Sequence, residues 1–230
     1  MVYAVIAAGG TGSRAGNELP KQYVSIGGKP VIIHTLEKFM SENSFDGIIL
    51  LCPAEWLSYT RELVEDYFGK DIITVTEGGQ TRNDTIMKAI GYISSTDGLT
   101  DETVIVTHDA VRPFVTGKII REHIERIKLC EALGTAVPAT DTVILSEDGI
   151  SVDNAPERKN VYQYQTPQSF KAKKLKELYE ALTDSQKAAL TDTCSIFTLS
   201  GERVELVMGD SLNFKITYPH DLKIAEALLK

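Results

Sequence analysis

The chain has 230 residues, 43% of them hydrophobic and 24% charged, with 17 Gly and 8 Pro. At about 150 residues per domain this allows one large domain or two small ones, and the ordinary composition excludes disordered and fibrous classes. Twenty-four basic residues against 32 acidic ones leave a net charge of −8; no general basic field exists for a nucleic-acid backbone, so a phosphorylated ligand must be met by local cations, helix N-termini or a metal ion.

Val2–Ala8 is a nearly unbroken apolar run, the pattern of a strand buried on both faces. It lacks a basic leader and Gly9 cuts it short, so no secretory signal is expected. The longest apolar runs (Ile48–Cys52, Val104–Val106) are far shorter than the ~18 residues of a membrane span. Similar runs at Gly47–Cys52, Ile72–Thr76, Thr103–Thr107 and Thr135–Ala139 predict further strands. Between them, helical spacing follows Pro30 (Ile32, Leu36, Phe39) and recurs over Trp56–Phe68, Asn83–Ile93 and Ile120/Ile124/Ile127. Strands alternating with helices predict βαβ units, hence an α/β fold whose mostly parallel sheet is covered on both faces.

The alternation stops after Ala139. Residues 141–163 carry two β-like runs, Thr142–Leu145 and Ile150–Val152, around the turn signal Glu147-Asp148-Gly149. Such a hairpin has too little apolar surface to stand alone and must fold back or pack against another chain. Val161–Gln165 reads as a strand, Lys171–Leu182 and Asp184–Leu190 as helices, and Val204–Met208 as a strand. A last helix begins at Pro219, with Leu222, Ala225 and Leu229 on one face. No repeat or linker interrupts this series, which predicts one domain over 1–230 with an arm at about 141–163. Cys52, Cys130 and Cys194 share no metal spacing and suit a reduced cytoplasm.

The strongest chemical signal follows the first strand, Ala7-Ala8-Gly9-Gly10-Thr11-Gly12-Ser13-Arg14-Ala15-Gly16. Its glycines let main-chain N–H groups approach a phosphate closely. Gly10-x-Gly12-x-x-Ala15 fits a dinucleotide fingerprint, but Asn17-Glu18-Leu19-Pro20 ends any helix early and Cys52-Pro53 stands where an acid is wanted. A P-loop lacks its Gly-Lys-Ser/Thr. The remaining readings are a loop wrapped around a nucleoside triphosphate, with Arg14 and Lys21 reaching its phosphates, or a plain glycine turn with surface cations.

Glu77-Gly78-Gly79-Gln80-Thr81-Arg82-Asn83-Asp84-Thr85 also joins a strand to a helix; it suits contacts to a base or sugar, and equally an ordinary N-capping turn. In Thr107-His108-Asp109-Ala110-Val111-Arg112-Pro113, Asp109 is placed either to hold Mg²⁺ on a triphosphate or to cap, and Arg112 to partner a nearby carboxylate. His34, His108, His123 and His220 form no zinc spacing. Arg158 and Lys215 read as solvated charges or as anion ligands; in the apolar context of Phe214-Lys215-Ile216, Lys215 must point out or find an anion.

Taken together, these loops with Leu19-Pro20-Lys21-Gln22, Asp141-Thr142, Gln165-Thr166-Pro167-Gln168, Thr191-Asp192 and Phe214-Lys215-Ile216-Thr217 resemble, in order and over nearly the whole chain, the cytidylyltransferases that act on polyol phosphates. That family includes the methylerythritol-phosphate enzyme of isoprenoid synthesis and the ribitol-5-phosphate enzyme of teichoic acid synthesis. The resemblance implies a Rossmann-like nucleotidyltransferase fold with a protruding β-arm exchanged across a homodimer, CTP and a polyol phosphate as substrates, and a divalent cation such as Mg²⁺. It implies that Arg14 and Lys21 stabilise the transition state at the α-phosphate, that Arg158 and Lys215 orient the acceptor phosphate, and that Asp109 binds the metal. Ala7, Ala8, Gly9, Gly10, Gly79, Arg82 and Thr85 fall where the family holds cytidine and its phosphates; Asp141, Thr142, Thr166 and Asp192 fall on the acceptor side.

Thr191-Asp192-Thr193-Cys194 lacks the acid that the isoprenoid branch usually carries after its Thr-Asp. With Val111 and Phe114 around Arg112-Pro113, this resembles the ribitol-phosphate branch more closely. The methylerythritol-phosphate reaction is the alternative within the family; a nicotinamide-dependent oxidoreductase or a non-catalytic nucleotide-binding module are the alternatives outside it.

Overall fold

In the computed structural model, which describes residues 1–10 and 19–230, the first apolar run forms β1 (Val2–Ala7) at the centre of a sheet. A small hairpin follows, β2 (Ser25–Ile26) and β3 (Lys29–Pro30), turning through Gly27 and Gly28 at φ of 57° and 84°. Two consecutive positive φ values are what a tight hairpin turn demands and what glycine accepts without strain. Then come α1 (Val31–Met40), β4 (Gly47–Cys52), α2 (Leu57–Phe68), β5 (Thr74–Glu77), α3 (Arg82–Thr96), β6 (Val104–Asp109), α4 (Gly117–Arg126) and β7 (Ala132–Pro138). After the arm the chain continues through β8 (Tyr162–Lys171), α5 (Ala172–Ala181), α6 (Asp184–Ala189), α7 (Cys194–Leu199), β9 (Glu205–Met208) and α8 (Pro219–Leu228).

The main sheet has seven strands in the order β5-β4-β1-β6-β8-β7-β9. β5, β4, β1 and β6 are mutually parallel, and β9 runs parallel to β7. β8 is antiparallel to both of its neighbours. Successive strand side chains go to opposite faces. Ala4, Ile6, Leu50 and Val106 join Ile32, Leu36, Val64 and Ile120 from α1, α2 and α4 on one face. Val5, Ile49, Leu51 and Ile105 join Ile86, Ile90, Leu175 and Phe197 from α3, α5 and α7 on the other. Each such side chain fully buried contributes about 1.5–3 kcal/mol before the entropy of ordering is subtracted.

Three expectations require correction. The arm is not a ladder: among the described residues the only pairing within it is one bridge, Leu145 to Asn154, although the turn forms with Gly149 at φ 70°. Ile150 and Val152 are 93% and 62% exposed, so the described residues offer no surface against which a ribbon could bury a face. The strand expected from Ile72 starts at Thr74, after Asp71 turns the chain with φ 60°. The strand expected over Val161–Gln165 runs on to Lys171, because Thr166 and Pro167 sit where the β7–β8 register shifts. A bulge is where a strand tolerates a residue without an N–H.

Candidate active site

In an open parallel sheet, ligand crevices lie beyond the carboxyl ends of the strands where the winding reverses direction. Here β1 is flanked by β4 on one side and β6 on the other, and past the ends of β1, β5 and β6 opens a cleft of about 260 Å³. Ala7, Ala8, Gly9 and Gly10 form its floor, and Gly79, Arg82 and Thr85 one wall. Lys21, Asp109 and Lys215 close the other side. Ten residues singled out in five separate segments of the sequence therefore meet in one cavity. Arg14 lies outside the described residues.

Hydrogen bonds within the chain fix the walls. Gln22 donates from Nε2 to the carbonyls of Ala8 (2.8 Å) and Gly10 (3.0 Å), tying the residue after Lys21 to the end of β1. On the facing wall Thr81 and Asp84 form a reciprocal cap on α3, the Asp84 N–H donating to Thr81 Oγ1 and the Thr81 N–H to Asp84 Oδ2, both at 3.1 Å. Thr85 Oγ1 accepts from the Gly79 N–H at 2.9 Å and donates to the Thr81 carbonyl at 2.9 Å. The loop thus lies flat on the helix N-terminus, and a Cβ at Gly79 would come within 2.6 Å of the Asp84 carbonyl carbon and 2.8 Å of the Thr85 nitrogen. The capping reading and the ligand reading of this segment are compatible: the capped helix presents its N-terminal end to the cleft, where anions are favoured.

Charge in the cleft is inverted relative to the whole molecule. Among the described residues Asp109 is the one acid that lines it. Its carboxylate pairs with Arg82 Nε (3.3 Å, through Oδ1), and with Arg112 Nε (3.3 Å) and Lys215 Nζ (3.0 Å) through Oδ2. Burial alone would raise this carboxyl; the charges of Lys215, Arg82 and Arg112 overcome it and hold it well below the usual carboxylate range. Arg112 is thus the carboxylate's partner, and Lys215 finds its anion in Asp109.

Below Asp109 lies a polar layer that the sequence did not advertise. His108 is fully buried, with Nε2 against the Arg112 carbonyl (3.1 Å) and Nδ1 against Thr166 Oγ1 (2.9 Å). Because a carbonyl only accepts, Nε2 carries the proton and Nδ1 receives the Thr166 hydroxyl, whose oxygen in turn accepts the Asp109 N–H at 3.1 Å. Burial pushes this imidazole down to about 3, so it is neutral at physiological pH. The one signal for this layer was a polar pair, Thr107-His108, at the end of an otherwise apolar strand.

None of the four acceptor-side residues lines the cleft. Thr166 is buried beneath it, in the layer just described. Asp192 accepts from the Ser195 N–H (2.8 Å), the Ser195 hydroxyl and Gln168 Nε2 (3.3 Å), bracing the start of α7. Asp141 and Thr142 are exposed at the root of the arm and do not line the cleft. Arg158 is exposed too; its Nη1 donates to the Thr140 carbonyl at 3.3 Å, and it borders a separate hollow with Pro138, Ala139, Glu157 and Lys159. Gln80, Thr81 and Val111 line the cleft without having been singled out as site residues.

Residues 2–230 match the family described as IspD, 2-C-methyl-D-erythritol 4-phosphate cytidylyltransferase. A ribitol-5-phosphate cytidylyltransferase from Lactiplantibacillus plantarum is 46% identical over 231 residues, spanning 100% of this chain and 99% of the relative. Among solved structures, the 4-diphosphocytidyl-2C-methyl-D-erythritol synthase of Anaerococcus prevotii is similar with a TM-score of 0.81 at 29% identity, covering 99% of this chain and 95% of that one. The 2-C-methyl-D-erythritol 4-phosphate cytidylyltransferase of Francisella tularensis gives 0.81 at 29% identity, covering 98% of each chain.

Proposed function

The chain belongs to the 2-C-methyl-D-erythritol 4-phosphate cytidylyltransferase family and is a CTP-dependent cytidylyltransferase; from that premise we propose that its acceptor is D-ribitol 5-phosphate, with CDP-ribitol and pyrophosphate as products. One observation carries the acceptor: full-length identity is 46% to a relative named for ribitol 5-phosphate and 29% to the structures named for methylerythritol phosphate. Thr191-Asp192-Thr193-Cys194, without a following acid, points the same way. The nicotinamide reading of the glycine loop falls with the family assignment.

The chemistry is set by repulsion between two anions. An oxygen of the acceptor phosphate attacks the α-phosphorus of CTP in line, the bond to the β-phosphate oxygen breaks, and pyrophosphate leaves. A phosphate dianion is already nucleophilic, so no general base is required; neutral His108, with both ring nitrogens bonded, is not placed to be one. Catalysis is then positioning and neutralisation. Gly9, Gly10 and Gly79 let the nucleotide lie against main chain. Lys21, with Arg14, neutralises the α-phosphate. Lys215, with Arg158, orients the incoming phosphate. Asp109 holds Lys215 and Arg82 in place.

The proposed reaction includes a divalent ion. Among the described residues no cluster of three or more His, Cys, Asp or Glu could hold a metal by itself. Magnesium commonly uses one or two carboxylates and takes its remaining ligands from substrate phosphates and water. Asp109, alone among the lining acids, is the carboxylate that would serve. Bound there with the triphosphate, the ion would supply further charge neutralisation.

The arm, with its exposed Ile144, Leu145, Ile150 and Val152, is read as the segment that meets a second copy of the chain and brings Arg158 to the neighbouring cleft. We place the enzyme in the cytoplasm, without nucleic-acid or membrane partners; among the described residues no helix is long and apolar enough to cross a membrane. The deciding experiment incubates the protein with CTP, Mg²⁺ and either D-ribitol 5-phosphate or 2-C-methyl-D-erythritol 4-phosphate and measures pyrophosphate. Faster release with ribitol phosphate is expected; turnover of methylerythritol phosphate alone overturns the acceptor.

A further inference from the structure

Lys215 sits on residues 209–218, a connection between β9 and α8 with no helix or strand of its own. Such a segment holds a side chain in place only through tertiary bonds. Those bonds converge on Asn213, which is fully buried and does not line the cleft. Its Nδ2 donates to Gln165 Oε1 (3.2 Å) and to the Thr166 carbonyl (2.8 Å), fastening the segment to the bulge in β8. Its carbonyl accepts Arg112 Nη1 at 2.8 Å. Arg112 in turn reaches Asp109, and Asp109 holds Lys215. Three residues past Asn213, the Ile216 N–H donates to the Val111 carbonyl at 2.9 Å, so the chain is pinned on both sides of Lys215.

We propose that Asn213 is a positioning residue for the acceptor reaction: it touches neither substrate and acts by setting where the Lys215 ammonium stands over Asp109. The inference rests on the reading of Lys215 as the group that meets the acceptor phosphate. A polar side chain committed to two acceptors in the interior is hard to replace by any apolar residue without moving the segment. Displacement of Lys215 by an ångström weakens the hold on the acceptor phosphate and leaves the nucleotide wall at Gly79 and Thr85 untouched.

The test is a double-mutant cycle on Asn213→Ala and Lys215→Ala, reading KM for D-ribitol 5-phosphate, KM for CTP, kcat and thermal midpoint in each. Asn213→Ala is expected to raise the acceptor KM about tenfold while the CTP KM stays within about twofold, and to add nothing to the acceptor defect in the Lys215→Ala background. Equal, additive losses in both backgrounds, or unchanged acceptor kinetics in a folded Asn213→Ala protein, overturn the proposal. Lys215→Ala with a normal acceptor KM overturns the reading of Lys215 instead, so the two failures are distinct. Should Asn213→Ala not fold, Gln165→Met, which keeps the volume and removes one of the two acceptors, is carried through the same cycle with the same criteria.

Discussion

The parallel strands β5, β4, β1 and β6 and the strand β7 belong to one sheet and end in opposite ways. On the first side, loops leaving the strands are closed by this chain's own buried and half-buried bonds: Gln22 to Ala8 and Gly10, Thr85 to Gly79, Arg112 to Asp109. On the second side, β7 runs out at Pro138 into an arm whose apolar side chains face solvent. A loop whose polar groups are satisfied within the chain has one geometry available, which is what in-line phosphoryl chemistry needs. A segment with exposed Ile150 and Val152 finds its geometry only against another surface.

The largest effect that would sharpen this contrast is expected at Asp109. Asp109→Ala leaves Arg82, Arg112 and Lys215 without their shared anion, and breaking a buried ion pair on one side costs about 3–5 kcal/mol. Urea unfolding should show a loss of that order, and pyrophosphate release should fall by about 10³-fold as the cations separate. The arm supplies the control. Asp148 accepts from Ile150, Ser151 and Ser146, but on the exposed surface of this chain; Asp148→Ala should leave the urea midpoint nearly unchanged. Equal damage from the two substitutions would erase the distinction between the regions. Next in size, Lys21→Ala is expected to lower kcat about 10²–10³-fold, by analogy with removing one oxyanion donor. Near-wild-type turnover would mean that Lys21 is not at the reacting phosphorus.

A third effect reports on the polar layer beneath the cleft. His108 and His123 are both held neutral, burial pushing each down to about 3 from an ordinary value near 6.5. His123 donates from Nε2 to Thr135 Oγ1 (2.7 Å) and accepts from the Ser169 hydroxyl (2.6 Å). Because the unfolded chain takes up these protons first, stability is full above about pH 6.5 and declines as pH falls toward 3, by up to about 2.7 kcal/mol per pH unit for the two together. Asp109, shifted downward, keeps its contribution until pH falls below the ordinary carboxylate range, so from pH 6.5 to 4.5 this pair of histidines sets the slope. Urea midpoints across that window should fall, and His123→Asn should halve the dependence. A flat profile would show that the imidazoles are protonated in the fold.

The two regions were also unequally legible in the sequence, for the same reason that separates them. β1, β4 and β6 are buried on both faces, so their residues form continuous apolar runs that admit one reading. Several residues of the cleft follow those runs directly, and a lysine between Phe214 and Ile216 had either to point out or to find an anion. β8 was cut short because Gln165-Thr166-Pro167-Gln168 resembles a loop; what makes it a strand is the bulge opposite Gly134/Thr135, a tertiary fact. Asn213 carried no periodic signal, since its partners lie 47 and 101 residues away. The arm failed in the opposite sense: its turn was readable, and the ladder inferred from it lacks any surface to form on.

The smallest effect on the chain itself, and the sharpest test of what the arm is for, is expected from Ile150→Ser. The side chain is 93% exposed, so its removal should shift unfolding in urea by no more than about 0.5 kcal/mol. If the arm meets a second copy, the same substitution should move sedimentation toward the monomer at micromolar concentration. Acceptor turnover should fall with it, because Arg158 rides on the same segment and borders no part of its own chain's cleft. Arg158→Ala should then lower turnover without altering either unfolding or sedimentation. That pair of results separates the arm's holding contact from its catalytic one. Unchanged association and unchanged turnover in both variants would leave the cleft of one chain complete by itself, and the exposed apolar row on the arm would have to serve some surface other than a second copy.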